Sequence, residues 1–445
     1  MSPETITAIF IVSIIAGAMT GYPIALILGG ISLIIGYFTL GITVFTLMYM
    51  RSINLLLNYN LLAIPLFIFM GYILGESGIA NNLYESLYQF FSRAKGGLAA
   101  ATILIGAILA ACVGVIGASI AMLAVIALPS MLGKGYNKSL ACGAVCAGGT
   151  LGILIPPSVM LVIYGPMAKV SVGKLFLGAF PPGFLLAFLY MIYILIHSSI
   201  NTKLGPSAVE SEVDSISFTR KLKLLIISLI PPAFLVLTVL GVIYFGIAAP
   251  TEAAAIGCGG AVILSILFKK FNMDMLKKSL LGTLEVTSFI MFVGVFASAI
   301  VGIFLRLGCG EVISNFILST PGGKWGAFAL IMVVVFILGM FIDWVGIIFI
   351  MVPIITPIAD ELGFNPVWFS IIICINLQMS FLTPPFAPAI FYLRGMVTKD
   401  MGINTNTIIK GVLPFIVIIV SLIILCVFFP NIILWLPNSM VRTGW

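Results

Sequence analysis

The chain has 445 residues, of which 62 % are hydrophobic and 8 % are charged, and its mean hydropathy is +1.27. A soluble domain carries roughly 25 % charged residues, so this composition excludes a water-soluble protein and predicts one that lies in a lipid bilayer. The net charge of +7 comes from loops. Lysine and arginine there mark the cytoplasmic side of a membrane protein, and we expect no nucleic-acid partner.

Apolar segments separated by short polar loops run through the whole chain. A bilayer core of about 30 Å needs roughly 20 helical residues, and several segments depart from that length. We therefore predict an all-α, multi-pass (polytopic) membrane protein with some irregular spans. The segments are about 5–19, 23–46, 61–75, 97–132, 140–168, 175–200, 224–246, 252–268, 280–305, 325–358, 367–393 and 411–436.

A polar connector, residues 201–223, divides the chain. It carries both charge signs and ends in basic residues. We predict that it lies in the cytoplasm between a first half, residues 1–200, and a second half, residues 224–445. A second basic cluster should face the same side, because two predicted helices separate it from the connector. This cluster comprises Lys269, Lys270, Lys277 and Lys278.

The two halves contain an internal repeat. When the sequence is shifted against itself by 228 residues, residues 129–164 align with 357–392 without a gap, and eight of the 36 positions are identical. Most of the shared residues are proline, glycine or asparagine, which interrupt or cap helices, so we infer a duplication. The identical pairs are Pro129 and Pro357, Gly135 and Gly363, Asn137 and Asn365, Cys146 and Cys374, Leu154 and Leu382, Pro156 and Pro384, Pro157 and Pro385, and Tyr164 and Tyr392.

The charges beside the shared turn differ between the copies. Lys134 and Lys138 flank the turn in the first copy, whereas Asp360 and Glu361 precede it in the second. Lysine marks cytoplasmic loops, so we expect the first turn in the cytoplasm and the second outside. Two copies of opposite orientation form the inverted repeat of many secondary transporters.

Two apolar segments are too long to cross the membrane once. A single helix over 97–132 would be about 54 Å long, and residues 325–358 behave alike. Candidate breaks lie at 113–119 and 342–346, so each segment is predicted to form a re-entrant hairpin of two short helices. The alternative is one tilted and kinked helix in each case.

Two other helices, 140–168 and 367–393, each contain a pair of prolines near the centre. Proline lacks the N–H donor and clashes with the preceding turn, so both helices should unwind inside the membrane, unless the kinks only serve packing. Unwound carbonyls can coordinate sodium, and half-helix amino ends can face anions. We expect free carbonyls at Gly152, Ile155, Ser380 and Thr383.

Charged residues within the apolar runs are candidates for function. Asp343 lies at the expected tip of the second hairpin, and a carboxylate at that depth is costly and usually functional. We predict that it binds a cation or acts as its countercharge, with a helix-capping or interfacial role as the alternative. Arg394 could attract an anionic substrate or lie at the interface. Side-chain oxygens near the second break belong to Asn376, Gln378, Ser380 and Thr383.

Several segments closely resemble the large membrane subunit of TRAP transporters, the tripartite ATP-independent periplasmic transporters. The most specific are AGGTLGILIPPSVMLVIYG at 147–165 and NLQMSFLTPPFAPAIFY at 376–392. The pieces GYPIAL at 21–26, APTEAAAIG at 249–257 and FIDWVGIIFIMVPIITPIADELGFNP at 341–366 match in the same order. The resemblance therefore covers most of the chain.

This resemblance implies an elevator-type transporter similar to those of the ion transporter superfamily, in the bacterial inner membrane. It implies sodium (Na+) as coupling ion without an organic cofactor, an organic anion as substrate, and two partners, a small four-helix membrane subunit and a periplasmic substrate-binding protein. The implied sodium ligands are Val113, Val115, Gly152, Ile155, Pro157, Asp343, Ser380 and Thr383. The implied substrate-binding residues are Gly114, Ser119, Pro156, Ser158, Gly346, Pro384, Pro385 and Arg394.

The first hairpin tip departs from the family pattern, which often reads Ser-Gly-Ser. Val113-Gly114-Val115 has no side-chain oxygen, so sodium bound there would depend on backbone carbonyls. Much of the selectivity should lie in the binding protein, and the substrate stays open among carboxylates, sugar acids, sulfonates and amino acids.

Other functions remain to be weighed against transport of this kind. A standalone sodium- or proton-coupled carrier without a binding protein fits the same repeat, and a passive channel is a further alternative. The apolar spans show no His cluster, paired-acid motif or Ser/His arrangement that would favour an enzyme. The phosphate-binding pattern G-x-x-x-x-G-K-[ST] of an ATP-driven pump does not occur.

Overall fold

The computed structural model describes residues 2–91, 94–113, 116–206 and 218–440. Within these residues the regular structure consists of α-helices and three 3-10 turns, and we number the helices α1 to α20 in chain order. Eight of the described helices are long and apolar enough to cross a membrane.

The helices of the first half are α1 (Pro3–Met19), α2 (Ile24–Leu40), α3 (Thr43–Leu56), α4 (Ala63–Glu76), α5 (Ile79–Phe91), α6 (Gly97–Val113), α7 (Ile116–Gly133), α8 (Lys138–Thr150), α9 (Val159–Ala168) and α10 (Val172–Ile200). Those of the second half are α11 (Phe218–Tyr244), α12 (Pro250–Leu267), α13 (Met273–Arg306), α14 (Cys309–Leu318), α15 (Gly323–Gly339), α16 (Trp344–Glu361), α17 (Pro366–Ser380), α18 (Pro388–Met396), α19 (Thr405–Phe428) and α20 (Asn431–Ser439). The 3-10 turns are Tyr59–Leu62, Leu151–Ile153 and Lys399–Met401.

Some boundaries differ from those predicted. Segment 23–46 is two helices, because the chain turns at Gly41 with φ +60°, a conformation that glycine adopts without steric cost. Segment 411–436 is likewise divided, since α19 ends before Pro430. The helices α5 and α14 were not predicted, because IANNLYESLYQFF and CGEVISNFIL mix polar with apolar residues.

The two copies of the repeat have the same local structure. Asn137 and Asn365 cap α8 and α17, and each side-chain oxygen accepts two backbone N–H groups at 2.9–3.3 Å. Gly135 and Gly363, just before them, have φ values of +76° and +69°. The hairpin arms are 17 and 18 residues long in both copies. The shared turn residues therefore form the same turn and the same helix cap in both copies.

The hairpins and the broken helices pack against one another reciprocally. Within each copy, the hairpin lies on its own broken helix, α6 and α7 on α8 and α15 on α17. Between the copies, α7 packs against α18 and α16 packs against α9. The second arm of each hairpin therefore contacts the half-helix that follows the two prolines of the other copy, and this arrangement brings both breaks to one region.

The connector, which was predicted to be cytoplasmic, begins beside two other loops. The backbone N–H of Gly96 donates to the carbonyl of Gly205 at 2.9 Å, and that of Asn137 donates to the carbonyl of Leu204 at 2.9 Å. The loops before α6 and α8 thus meet the start of the connector. Residues 207–217 of the connector lie outside the described residues, and the division into two halves stays a prediction.

Candidate functional site

The first broken helix unwinds between α8 and α9, at Pro156 and Pro157. In a continuous helix these two residues would donate N–H groups to the carbonyls of Gly152 and Ile153, but proline has no N–H. The hydroxyl of Ser158 donates to the Ile153 carbonyl instead, at 2.5 Å. The Gly152 carbonyl accepts no hydrogen bond from the part of the chain that the structure describes.

The unwound segments of both copies carry further unpaired carbonyls. Among the described residues, no hydrogen bond reaches the carbonyl oxygens of Ile155, Pro157 or Thr383. Together with Gly152, three of the four expected free carbonyls are therefore found. Ser380 differs, since its carbonyl accepts the backbone N–H of Thr383 at 3.1 Å. Unpaired backbone carbonyls inside a membrane protein are suited to bind sodium.

The second broken helix is joined to the second hairpin. The N–H of Phe386 donates to the carbonyl of Met340, in the hairpin tip, at 3.1 Å. A Cβ placed on Gly339, the last residue of α15, would lie only 2.5 Å from Ser380 Oγ, so these helix ends are in close contact. Pro384 and Pro385 follow, and the Pro156-Pro157 and Pro384-Pro385 peptide bonds are both cis.

Polar side chains of α17 fasten it to α15. Asn376 Nδ2 donates to the Met332 carbonyl at 2.8 Å, and one turn later Ser380 Oγ donates to the Phe336 carbonyl at 3.3 Å. The Thr383 hydroxyl donates to the Met379 carbonyl at 2.9 Å. A hydroxyl group that donates its hydrogen keeps lone pairs on its oxygen, and an amide that donates through its NH2 group keeps those on its carbonyl oxygen, so both can still bind a cation.

Asp343 begins α16, directly after the second hairpin tip. Its side chain is partly exposed, and its Oδ2 accepts the backbone N–H of Val345 at 3.2 Å. The carboxylate is therefore a helix cap, one of the roles considered from the sequence. This bond leaves lone pairs on both oxygens, so capping is compatible with cation binding. Gly346 lies buried on the first turn of the same helix.

Tyr392, on α18, lies against the second arm of the first hairpin, a placement that sequence reasoning missed. A Cβ placed on Gly117, at the start of α7, would lie 3.0 Å from Tyr392 Cε1. Its side chain is 49 % exposed, whereas its repeat partner Tyr164 is fully buried. The two tyrosines are an identical pair of the repeat, so the sequence alone did not indicate that their surroundings differ.

The remaining predicted site residues are distributed around these segments. Ser119 is fully buried on α7. Val113 ends α6, but its side chain, together with Gly114 and Val115, lies outside the described residues. Arg394 donates through Nη1 to the Ile403 carbonyl at 3.2 Å, which joins α18 to the loop before α19. Its contact with a substrate stays a prediction.

Comparison with known proteins agrees with this architecture. A family model described as "Tripartite ATP-independent periplasmic transporter, DctM component" matches residues 11–432. The C4-dicarboxylate TRAP transporter large permease protein DctM of Pseudomonas aeruginosa is 30 % identical over 86 % of this chain and 87 % of that protein. The 2,3-diketo-L-gulonate TRAP transporter large permease protein YiaN of Escherichia coli is 26 % identical over 98 % of this chain and 99 % of that protein.

A solved structure shares the fold. The YdaH transporter of Alcanivorax borkumensis superposes with a TM-score of 0.61 and 15 % identity, over 88 % of this chain and 90 % of that one. Because the family model spans most of the chain, and the fold is that of a membrane transporter, the protein belongs to the DctM component family of TRAP transporters, the large membrane permeases of the bacterial inner membrane.

Proposed function

We propose that this permease carries out sodium-coupled uptake of a small organic anion, namely a carboxylate, sugar acid or sulfonate. The observation that supports this best is the meeting of two unwound segments with the hairpins of both copies. The free carbonyls of Gly152, Ile155 and Thr383 provide ligands for a cation. The helices α9 and α18 begin at the breaks, and their amino ends favour a negatively charged group.

An elevator movement of the hairpins and broken helices fits the way they meet the rest of the molecule. A cavity of about 230 Å³ separates α16 and α15 from α1, α13 and α14. Apolar side chains line it, among them Phe10, Ile14, Phe304, Leu338 and Ile355. An interface without directional polar bonds opposes sliding less than a hydrogen-bonded one, which suits a moving body against a fixed one.

The inward sodium gradient would supply the energy. Each positive charge that enters contributes roughly 2.3 kcal/mol per 100 mV of membrane potential. Sodium binds at the breaks and hairpin tips, the substrate follows, and the loaded unit then moves. The sodium ligands would be the residues named above for the two breaks, with Asp343 in the second.

We propose that the chain acts with a small four-helix membrane subunit and with a periplasmic binding protein that delivers the substrate. The relatives named above belong to TRAP transporters for C4-dicarboxylate and for 2,3-diketo-L-gulonate. Both compounds are carboxylates, and this supports an anionic substrate without selecting one.

The experiment is uptake into proteoliposomes that contain this chain and its small subunit. Candidate binding proteins loaded with labelled organic acids are added with and without an inward sodium gradient. Uptake that requires both sodium and the binding protein supports the proposal and identifies the substrate. Uptake of free substrate without a binding protein would instead establish a standalone carrier.

A further inference from the structure

Gln378, on α17, is a buried amide without a partner. The residue is fully buried, and neither Oε1 nor Nε2 forms a hydrogen bond with the residues that the structure describes. Leaving a buried amide unpaired costs about 1–3 kcal/mol by mutational data. Such a group in a native protein calls for a ligand, an ion or a water molecule. Its neighbours Asn376 and Ser380, in contrast, are bonded to α15.

The side chain of Gln378 points away from the second hairpin. Successive residues of a helix are rotated by about 100°, so Gln378 lies on the face opposite Asn376. It continues a stripe formed by Val367 and Ile371, since residues four, seven and eleven positions apart share one face. That stripe packs against α10, where a Cβ on Gly178 would lie 3.1 Å from Val367 Cγ1 and 3.4 Å from Ile371 Cγ1.

Farther along, α10 also packs against the first break. Gly183 lies five residues beyond Gly178, about 7.5 Å farther along the helix and rotated by about 140° from it. A Cβ on Gly183 would lie 2.8 Å from Ile155 Cγ1. In addition, α17 itself contacts the 3-10 turn Leu151–Ile153, which immediately precedes this break. The helix α17 therefore lies beside the unwound segment of the other copy, and Gln378 is the polar residue at that end of its stripe.

The first break presents acceptors. The carbonyl oxygens of Gly152, Ile155 and Pro157 lie there, and none of them accepts a hydrogen bond from the described residues. A cluster of carbonyl oxygens attracts a cation and repels an anion. The hairpin tip of the same copy contributes no side-chain oxygen, because Val113 and Val115 are aliphatic.

We propose that Gln378 is a sodium ligand, whose Oε1 joins the free carbonyls of the first break. The sodium site of the first copy is then completed by a side chain of the second copy. Occupation of this site ties α17 to the first unwound segment. The inference rests on the sodium coupling proposed above and adds the residue that supplies a side-chain oxygen.

The test measures sodium binding without transport. The purified chain with its small subunit is unfolded by heat in increasing NaCl, with choline chloride keeping the ionic strength constant. In Gln378→Met we expect the half-saturating sodium concentration for stabilisation to rise about tenfold or more, which corresponds to ~1.4 kcal/mol. Its unfolding temperature without sodium should equal or exceed that of the parent, because an unpaired amide has been removed.

Two further variants separate the explanations. Gln378→Glu keeps an oxygen at the same place, so we expect it to respond to sodium at a concentration no higher than the parent needs. Thr287→Val is the matched control, because the Thr287 hydroxyl on α13 is also buried without a partner in the described part of the chain but lies outside the hairpins and broken helices. Its sodium response should not change.

The results that overturn the proposal are distinct from those that overturn sodium coupling. A parental sodium response in Gln378→Met would remove Gln378 from the site. An equal loss in Gln378→Met and Gln378→Glu would show that the amide donor, not the oxygen, is needed, and would also overturn it. If the parent protein itself does not respond to sodium, the sodium coupling fails, and the role of Gln378 fails with it.

Discussion

Exchange of Asp343 for asparagine or alanine separates its two roles. Asparagine and aspartate are about equally good helix caps, whereas alanine costs about 1 kcal/mol at such a position. The observed cap is the bond from Val345 N–H to Asp343 Oδ2 at 3.2 Å. We therefore expect the unfolding temperature in sodium-free buffer to stay near that of the parent in Asp343→Asn and to fall in Asp343→Ala.

The loss of charge should affect sodium in both variants. A carboxylate about 4 Å from a cation contributes roughly 4 kcal/mol at an effective dielectric constant of 20, and desolvation of the two charges offsets part of this. A net loss of only ~1.4 kcal/mol is a tenfold change in affinity. We expect the half-saturating sodium concentration for uptake into proteoliposomes to rise tenfold or more in Asp343→Asn as in Asp343→Ala.

A different pattern would refute this reasoning. If Asp343→Asn needs no more sodium than the parent while Asp343→Ala is destabilised, the carboxylate is a helix cap and nothing more. Measuring uptake at saturating sodium in both variants shows whether the protein is still folded and able to transport.

Two predictions concern packing and are read from the apparent unfolding temperature. Gly106→Ala should destabilise by about 1–3 kcal/mol, because the new Cβ would lie 2.7 Å from backbone atoms of Gly148, which cannot give way. Gly259→Ala, with no atom within 4 Å of the new Cβ, should be neutral or slightly stabilising, and similar losses in both would argue against close packing of α6 on α8. Ser158→Ala should lower the free energy of unfolding by about 1–3 kcal/mol, because the Ile153 carbonyl loses its only described donor. An unchanged stability would mean that water replaces the hydroxyl.

The sequence predicted the features that depend on residue chemistry alone. Two consecutive prolines remove two N–H groups, but Pro181-Pro182 and Pro231-Pro232 lie inside the continuous helices α10 and α11. The breaks at Pro156 and Pro384 could be predicted because these two pairs stand at corresponding positions of the internal repeat. Asn137 and Asn365 follow turn glycines and precede apolar runs, which made them recognisable as helix starts. These signals could be read from the sequence because each depends only on residues that are close together in the chain.

Features that depend on packing between distant segments could not be predicted. The sequence indicated that Gln378 offers an oxygen near the second break, but the packing of its face of α17 against α10 depends on segments that are far apart in sequence. The Ser380 carbonyl was expected to be free, yet the Thr383 N–H folds back to it in a local turn. Tyr392 and Tyr164 are the same residue at aligned positions of the repeat, but the residues packed around them differ, and so does their exposure.

The reciprocal packing has a consequence for how the protein is made. The second arm α7 and the half-helix α9 leave the ribosome long before α18 and α16, the elements that cover them. Until the second half has been inserted, the first half holds its unwound carbonyls in the membrane without their neighbours. Contacts between residues so far apart in sequence form slowly. Correct assembly of the first half during synthesis therefore depends on completion of the second.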